Sequence, residues 1–281
     1  MGVPIDGKIV AAKYKEELKL FIKDRALRGL NSPCIASILI GEDKGSIFYM
    51  NNQNKLCSEI GVEYKKIILP KETSEQVVLN TIEDLNNDEN IHGIIIQLPI
   101  PEGLDEEVIV NKISHLKDVD GLTDINCGKF YKGEKCFIPC TSQGIIELIK
   151  STGIKIKGKN AVVLGRSIIV GKSVAQLLLN EDATVTVCHS KTMDVKSICQ
   201  DADIIVAAIG SPNFVKEDFI KEGAVVIDVG FTVVDGKMAG DVDYENVIHK
   251  ASYITPVPGG VGAMTSIMLI KNTCEGLGNE Y

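Results

Sequence analysis

The chain has 281 residues, of which 44% are hydrophobic and 24% charged, and its net charge is −8. This length allows one large or two medium α/β domains. No apolar run approaches the ~18 residues that a bilayer span requires. No Lys/Arg cluster offers the basic surface that nucleic acid needs. We therefore expect neither a membrane nor a nucleic-acid partner.

The N-terminal segment lacks the features of a targeting signal. No apolar stretch follows a basic start, and Asp6 stands where a myristoylation signal needs Ser or Thr. The eight cysteines are scattered, which is typical of reduced thiols. Only Cys136 and Cys140 are close, and the four histidines are not paired, so we expect no metal site. These features predict a cytoplasmic protein.

Apolar strands alternate with amphipathic helices in the first half of the chain. The pattern predicts strands at 35–40, 64–69 and 93–98, and helices at 45–60 and 74–85. We expect Gly61 to close the first helix and Thr73 or Ser74 to cap the second. A repeated βα pattern of this kind predicts a parallel sheet that is buried on both faces.

A second α/β series begins near residue 160. It predicts strands at 161–164, 184–188, 203–209 and 224–229, with a helix at 171–179. The segment 140–150 between the two series is predicted to be helical and is a candidate hinge. The apolar segment 263–277 predicts a C-terminal helix. The expected fold class is therefore α/β.

The first βα turn of the second series is a candidate dinucleotide site. It runs from Gly165 through Arg166 and Ser167 to Gly171, after a strand and at the start of a helix. At that place backbone N–H groups and the helix dipole can hold a pyrophosphate. The glycine spacing is G-x5-G and not G-x-G-x-x-G, so an ordinary βα loop remains an alternative.

The end of the next strand indicates which dinucleotide would bind. An NAD site usually places Asp or Glu there to bind the ribose 2′-OH. Here the strand continues into His189, Ser190 and Lys191, with no carboxylate and with Arg166 in the preceding turn. A hydroxyl and cations suit a 2′-phosphate, so we predict NADP. The alternative for Lys191 is a solvated surface lysine.

At this point the chain resembles the methylenetetrahydrofolate dehydrogenase/methenyltetrahydrofolate cyclohydrolase family over essentially its whole length. Nine short segments carry the resemblance in the right order. They are Ser46-x2-Tyr49, residues 97–101 (QLPIP), 118–121 (DVDG), 139–141 (PCT), 165–167 (GRS), 188–192 (CHSKT), 226–230 (VIDVG), 240–242 (GDV) and 256–262 (PVPGGVG).

The resemblance implies two α/β domains with a cleft between them. Residues 1–139 with 264–281 would bind folate, and residues 140–263 would form a Rossmann-type NADP-binding domain. It also implies a homodimer formed through the NADP domains. The implied substrate-binding residues are Tyr49, Gln97, Pro99, Asp120, Pro258, Gly259 and Gly260. The implied cofactor-binding residues are Gly165, Arg166, Ser167, Ser190 and Phe231.

The chemistry of these residues fits the implied reaction. In the family Asp120 binds the pterin, whose N–H groups a carboxylate can accept; the structural alternative is an Asx-turn before Gly121. Gln97 ends a strand, where ligands bind in open α/β sheets. Oxidation of methylene- to methenyl-tetrahydrofolate by NADP moves no proton, so the protein mainly orients the reactants.

Gln53 is the main departure from the family. The family has a lysine four residues after Tyr49, on the same helical face, and this lysine is central to the hydrolysis of methenyl- to 10-formyl-tetrahydrofolate. Glutamine carries no charge and is neither an acid nor a base, and Lys55 points elsewhere on the helix. We expect Tyr49, Gln53, Gln97 and Asp120 to form the catalytic group, with hydrolysis weak or absent. Full bifunctionality and a non-catalytic folate- or nucleotide-binding protein are the alternatives.

Overall fold

The computed structural model describes residues 1–234 and 236–277. The chain divides into two compact units. The large-sheet unit contains Met1–Ala12 and Thr141–Thr265, and the small-sheet unit contains Lys13–Cys140 with the described residues from Ser266 onward.

The first half of the chain alternates strands and helices. Its elements are β1 (Val3–Pro4), α1 (Gly7–Leu27), β2 (Cys34–Ile40), α2 (Lys44–Ile60), β3 (Glu63–Leu69), α3 (Glu75–Asn87), β4 (Gly93–Ile96), α4 (Glu106–Asn111), α5 (Asp124–Lys132) and α6 (Cys140–Ser151).

The second half continues the alternation. Its elements are β5 (Asn160–Leu164), a π-helical turn (Ile168–Lys172), α7 (Ser173–Asn180), β6 (Thr184–Cys188), α8 (Val195–Gln200), β7 (Ile204–Ala207), a 3₁₀ turn (Glu217–Phe219), β8 (Val225–Asp228), β9 (Thr232–Val234), β10 (Lys237–Ala239), α9 (Tyr244–Val247), β11 (Tyr253–Ile254) and α10 (Val261–Glu275).

The small-sheet unit is built on a parallel sheet with strand order β3-β2-β4. All seven residues of β2 are buried, as expected of a central strand with both faces covered. Helix α2 begins at Asp43, whose carboxylate accepts the Ser46 N–H, and it ends at Gly61 with a positive φ of 97°. Thus Gly61 closes this helix as predicted, and α3 starts after Ser74.

The large-sheet unit contains a six-stranded parallel sheet with order β1-β11-β8-β7-β5-β6. From β5 the chain moves outward to β6 and then returns to the other side as β7. This reversal makes a topological switch point between β5 and β7, where doubly wound sheets bind ligands at the carboxyl ends of the strands. Strands β9 and β10 form an antiparallel hairpin outside this sheet.

Three segments differ from the sequence-based expectation. The N-terminal twelve residues were expected in the folate domain, but β1 pairs with β11 and places them in the large-sheet unit. Helix α1 was not predicted. The strand expected at 93–98 ends at Ile96, although the Gln97 N–H still donates to the Ile38 carbonyl at 2.8 Å. Residues 278–281 of the predicted first domain lie outside the described residues, and which domain binds which ligand stays a prediction.

The C-terminal helix α10 runs from the large-sheet unit into the small-sheet unit. Asn272 on this helix donates hydrogen bonds to the carbonyls of Val119 at 2.8 Å and Ile138 at 3.1 Å. The helix therefore holds the segment that carries Asp118 and Asp120. None of the helices in the described residues is long and apolar enough to cross a membrane.

Candidate active site

Gln53 and Gln97 meet in the small-sheet unit. Gln53 lies on α2, one turn after Tyr49, and Gln97 follows β4. Their side chains are only 5% and 6% exposed, and Gln97 Nε2 donates to Gln53 Oε1 at 3.0 Å. The structure thus joins two of the predicted catalytic residues through a direct hydrogen bond.

Two residues that the sequence did not indicate complete this arrangement. The Tyr64 hydroxyl on β3 donates to Gln53 Oε1 at 2.6 Å, and Gln97 Nε2 donates its other hydrogen to Ser37 Oγ on β2 at 2.9 Å. The Ser37 hydroxyl also lies near the Tyr64 phenol, where it acts to lower the pKa of that phenol. Ser37, Gln53, Tyr64 and Gln97 thus form a ring of neighbouring polar side chains from separate parts of the chain, so no local sequence pattern could have revealed it.

Two other residues of helix α2, Tyr49 and Lys55, place no charge beside Gln53. Burial raises the pKa of the Tyr49 phenol, so Tyr49 stays protonated at neutral pH. Lys55 is exposed and makes none of the hydrogen bonds around Gln53. Lys55 therefore does not replace the lysine that the family has at position 53.

The two aspartates of the 118–121 segment have different roles. Asp118 is buried and its carboxylate accepts the backbone N–H groups of Leu122 at 3.1 Å and Thr123 at 2.8 Å, besides the Asn126 amide. The Asp118 carboxylate therefore stabilises the loop of residues 118–123.

Asp120 is partly buried, and its Oδ1 accepts the Cys140 N–H at 3.3 Å. Burial raises the pKa of this carboxyl to about 6, with hydrogen bonds from Cys140 acting in the opposite direction. The turn at Gly121 is made by Asp118, since the Gly121 N–H donates to the Asp118 carbonyl. Among the described residues, the Asp120 carboxylate accepts the Cys140 N–H and no N–H of its own loop, so it does not make the Asx-turn that was the structural alternative.

The remaining substrate-site residues fall in both units. Pro99 lines a cleft of about 360 Å³ in the small-sheet unit together with Gly41, Asp43, Lys71 and Pro101. Residues 258–260 belong to the large-sheet unit. There the Gly259 carbonyl accepts the Gly7 N–H at 2.9 Å, so this loop holds the start of α1.

The glycine turn after β5 has a shape that side chains would block. Gly165 has a φ of +115°, and a Cβ on it would lie 2.2 Å from the carbonyl oxygen of Ala208, the residue after β7. A Cβ on Gly171 would lie 2.3 Å from the Gly165 carbonyl oxygen. Ser167 caps the following helical turn by accepting the N–H groups of Val170 and Gly171. The turn is therefore compact and lies at the switch point of the sheet, where the pyrophosphate of a dinucleotide is predicted to bind.

The side chains around this turn are open to solvent. Arg166 and Ser167 are exposed, as is Ser190 after β6. The loop after β6 is shaped by the His189 N–H, which donates to Thr192 Oγ1 at 2.9 Å, and it carries no carboxylate. Phe231, which follows β8, is 56% exposed. These positions agree with a site that accepts a 2′-phosphate.

Two buried aspartates, which the sequence did not single out as site residues, lie beside the ends of β7 and β8. Asp228 accepts the N–H groups of Gly230, Asp241 and Val242. Asp241 Oδ2 accepts the N–H groups of Ile209 and Gly210, which follow β7. Burial raises the pKa of Asp228 to about 6, and the neighbouring Asp241 adds to this effect. Together they fix the loops at the carboxyl edge of the sheet.

The described residues contain no group of three His, Cys, Asp or Glu side chains that could hold a metal ion. The eight cysteines, all of them in the described part of the chain, have free thiols. The site is thus built from amides, hydroxyls and carboxylates.

The chain combines a second α/β unit with a doubly wound sheet that has a glycine turn at its switch point. This combination is typical of dinucleotide-dependent dehydrogenases. Comparison with known families makes this specific. The catalytic-domain model of tetrahydrofolate dehydrogenase/cyclohydrolase matches residues 5–120, and its NAD(P)-binding-domain model matches residues 139–280. The chain belongs to the tetrahydrofolate dehydrogenase/cyclohydrolase family and is an enzyme of that family.

Individual relatives are similar over their full length. The bifunctional protein FolD of Clostridium tetani is 66% identical over 98% of this chain and 99% of its own. The crystal structure of the bifunctional enzyme FolD, methylenetetrahydrofolate dehydrogenase/cyclohydrolase, from Campylobacter jejuni is 42% identical, with a TM-score of 0.97 and complete coverage of both chains. The Trypanosoma brucei enzyme, complexed with NADP cofactor and inhibitor, is 38% identical with a TM-score of 0.92, covering 97% of this chain and 96% of its own.

These comparisons confirm the resemblance and the predicted class of two α/β domains with a Rossmann-type nucleotide domain. They leave the individual site residues untested. They also favour the bifunctional alternative over the expectation of weak or absent hydrolysis, since the Clostridium tetani relative is named bifunctional and the Campylobacter jejuni enzyme is named for both activities.

Proposed function

We propose that this chain oxidises 5,10-methylenetetrahydrofolate to 5,10-methenyltetrahydrofolate with NADP. The observation that carries this proposal is the neutral, hydrogen-bonded pair Gln53–Gln97 in the unit that also holds Asp120. A fixed, uncharged pair suits a step in which no proton moves and orientation does most of the work.

Asp120 and the residues around Gln97 would hold the folate. The Asp120 carboxylate can accept two N–H bonds from the amino-pyrimidinone edge of the pterin. Tyr49, Gln53, Gln97 and Pro99 would orient the reduced ring and its one-carbon bridge. The role of residues 258–260 in substrate binding stays a prediction. The cation that forms is stabilised by the two folate nitrogens themselves.

The cofactor is NADP, which supplies the hydride acceptor when bound. The backbone turn of Gly165, Arg166 and Ser167 would hold the pyrophosphate. Arg166 and Ser190 would bind the 2′-phosphate, since the loop after β6 offers no carboxylate for a 2′-OH. Phe231, exposed after β8, completes the proposed cofactor site. The NADP complex of the Trypanosoma brucei relative supports this cofactor.

Two candidates remain for the second reaction. The first is hydrolysis of methenyl- to 10-formyl-tetrahydrofolate by the same chain, which the bifunctional relatives support. The second is a dehydrogenase alone, which Gln53 supports, because both hydrogen bonds to its Oε1 come from neutral donors and no protonated group replaces the lysine.

A paired assay on one preparation tests all of this. NADPH absorbance after addition of methylenetetrahydrofolate measures oxidation, and loss of methenyltetrahydrofolate measures hydrolysis. Comparable rates support the first candidate, and oxidation without hydrolysis supports the second. Bound folate with no NADPH would instead support a non-catalytic binding protein and overturn the proposal. A clear preference for NAD would overturn the cofactor assignment.

We also propose a homodimer formed through the nucleotide units, in the cytoplasm. Strand β6 is an edge of the six-stranded sheet, and its Val187 is partly exposed, which suits pairing with a second chain. The free thiols suit a reducing compartment. Light scattering of the purified protein tests the dimer, and a monomer would contradict it.

A further inference from the structure

In the ring of Ser37, Gln53, Tyr64 and Gln97, the donor and the acceptor of each hydrogen bond can be assigned. Gln97 Nε2 donates both of its hydrogens inside the ring, one to Ser37 Oγ and one to Gln53 Oε1. The Tyr64 hydroxyl donates its single hydrogen to Gln53 Oε1, and the Ser37 hydroxyl lies near the Tyr64 phenol. The three hydrogen bonds of the ring therefore use one consistent set of protons.

One polar atom of each glutamine side chain makes no hydrogen bond within the ring. Gln53 Nε2 and Gln97 Oε1 have no hydrogen-bond partner among the described residues. Within those residues, Asp241 Oδ1 is the only buried side-chain nitrogen or oxygen without a partner. Hence Gln53 Nε2 and Gln97 Oε1 each keep some solvent-accessible surface, although the two residues are only 5% and 6% exposed.

We propose that Tyr64 is a positioning residue for the folate site, which with Ser37 holds Gln53 as an N–H donor and Gln97 as a carbonyl acceptor toward the ligand. This inference rests on the proposed function. A glutamine amide is nearly symmetric, and without an external donor either end can point outward. In the structure the Tyr64 hydroxyl and the Gln97 amide both donate to Gln53 Oε1, at 2.6 Å and 3.0 Å, and these two donors leave Gln53 Nε2 as the end that is not bonded.

A ligand that pairs with Gln53 Nε2 and Gln97 Oε1 needs a hydrogen-bond acceptor next to a hydrogen-bond donor. The carbonyl and ring N–H groups of a reduced pterin have this character. Burial raises the pKa of the Tyr64 phenol, so it acts as a neutral donor and not as an acid or base at neutral pH. Its contribution is therefore orientation of the two amides.

A double-mutant cycle tests this role. The variants are Tyr64→Phe, Gln53→Met and both together, with the KM for methylenetetrahydrofolate and the KM for NADP measured for each. We expect Tyr64→Phe to raise the folate KM about three- to tenfold, the value of one lost hydrogen bond, with the NADP KM unchanged. In the Gln53→Met background, Tyr64→Phe should have no further effect.

A purely structural role of Tyr64 predicts a different result. The two single effects would then multiply in the double variant, and this outcome overturns the proposal. Tyr131→Phe is the matched control, because Tyr131 is 77% exposed on α5, and it should leave both KM values unchanged. Ser37→Ala opens the ring from the other side and should raise the folate KM in the same direction, which keeps the test valid if Tyr64→Phe folds poorly.

The proposed reaction can fail independently of this inference. If the unmodified chain makes no NADPH, the same cycle is run on the dissociation constant of tetrahydrofolate by calorimetry. Loss of affinity in Tyr64→Phe that vanishes in the Gln53→Met background would still support the positioning role. Equal losses in both backgrounds would reject it.

Discussion

The backbone N–H of Asp241 donates to Asp228 Oδ1 at 2.8 Å, while the carboxylate of Asp241 accepts the N–H groups of Ile209 and Gly210. Asp228 thus fixes the backbone at Asp241, and the Asp241 carboxylate in turn fixes the loop after β7. Asp228 ends β8, and residues 209–210 follow β7, so the pair connects two neighbouring strand ends at the edge where the dinucleotide is proposed to bind. The relationship has consequences for stability.

We predict that Asp228→Asn reduces the dependence of stability on pH between about 4 and 6. The folded-state pKa of Asp228 is raised from 3.8 to about 6 by burial. The folded state therefore holds this proton more tightly than the unfolded chain. The stabilisation is complete below pH 3.8 and is lost as the pH rises through 6, by up to about 3 kcal/mol. Urea unfolding at several pH values measures it.

The variant should also be less stable at pH 7, because an asparagine amide would oppose one of the three N–H groups that Asp228 accepts. Part of the pH dependence should survive, since the pKa of Asp120 is raised into the same range. An unchanged slope between pH 4 and 6 would mean that Asp228 is not protonated in that range in the folded protein.

We predict that Gly165→Ala destabilises the chain by about 3 kcal/mol and weakens NADP binding. The new Cβ would meet the Ala208 carbonyl oxygen at 2.2 Å, at a φ of +115°. Gly223→Ala is the matched control, since Gly223 also has a positive φ but open space around it, and should cost only about 1 kcal/mol. Equal losses of melting temperature in the two variants would contradict the close approach at Gly165.

We predict that Ser190→Asp shifts the preference from NADP toward NAD by about tenfold or more. A carboxylate at the end of β6 would repel a 2′-phosphate and accept the ribose 2′-OH. The ratio of kcat/KM for the two cofactors measures the shift. Ser58→Asp, on an exposed position of α2, adds the same charge elsewhere and should leave the ratio unchanged. A constant ratio in Ser190→Asp would place the 2′-phosphate away from this loop.

The alternation of strands and helices could be predicted because each element carries its own signal. The apolar strand at 35–40 and the closing Gly61 are confirmed, since burial on both faces and a positive φ impose specific residues locally. Strand β1 has only two residues and pairs with β11, about 250 residues later. No local pattern predicts such a pairing, so the sequence could not place the N-terminal segment on this sheet.

The site was predictable only in part for the same reason. Gln53 was singled out because the family that the chain resembles has a lysine four residues after Tyr49, at a position that can be read from one helix. Tyr64 and Ser37 lie on separate strands, and their contact with Gln53 depends on strand register and on side-chain direction. Asp228 and Asp241 likewise needed the folded loops to become neighbours.

We predict that kcat/KM for the folate substrate falls below about pH 6. The Asp120 carboxyl, whose pKa is raised to about 6, must be ionised to accept two pterin N–H bonds. Asp120→Asn should remove this acidic limb and lower kcat/KM by about 10- to 100-fold. Asp228→Asn should retain the limb, which separates the two groups that titrate near pH 6. An acidic limb that persists in Asp120→Asn would assign it to another residue.

We predict that Gln53→Lys raises the ratio of hydrolysis to oxidation at least tenfold, because a buried ammonium can take part in proton transfer. The ring can accept a lysine by reversing: Tyr64 and Gln97 would then accept from the ammonium, and the Tyr64 hydroxyl would donate to Ser37. Gln53→Met is the control. The methionine side chain donates no hydrogen bond and carries no charge, so this variant should not raise the ratio. The paired assay measures both rates. If the ratio in Gln53→Lys stays at that of the unmodified chain, the residue at position 53 does not limit hydrolysis, and the prediction is wrong.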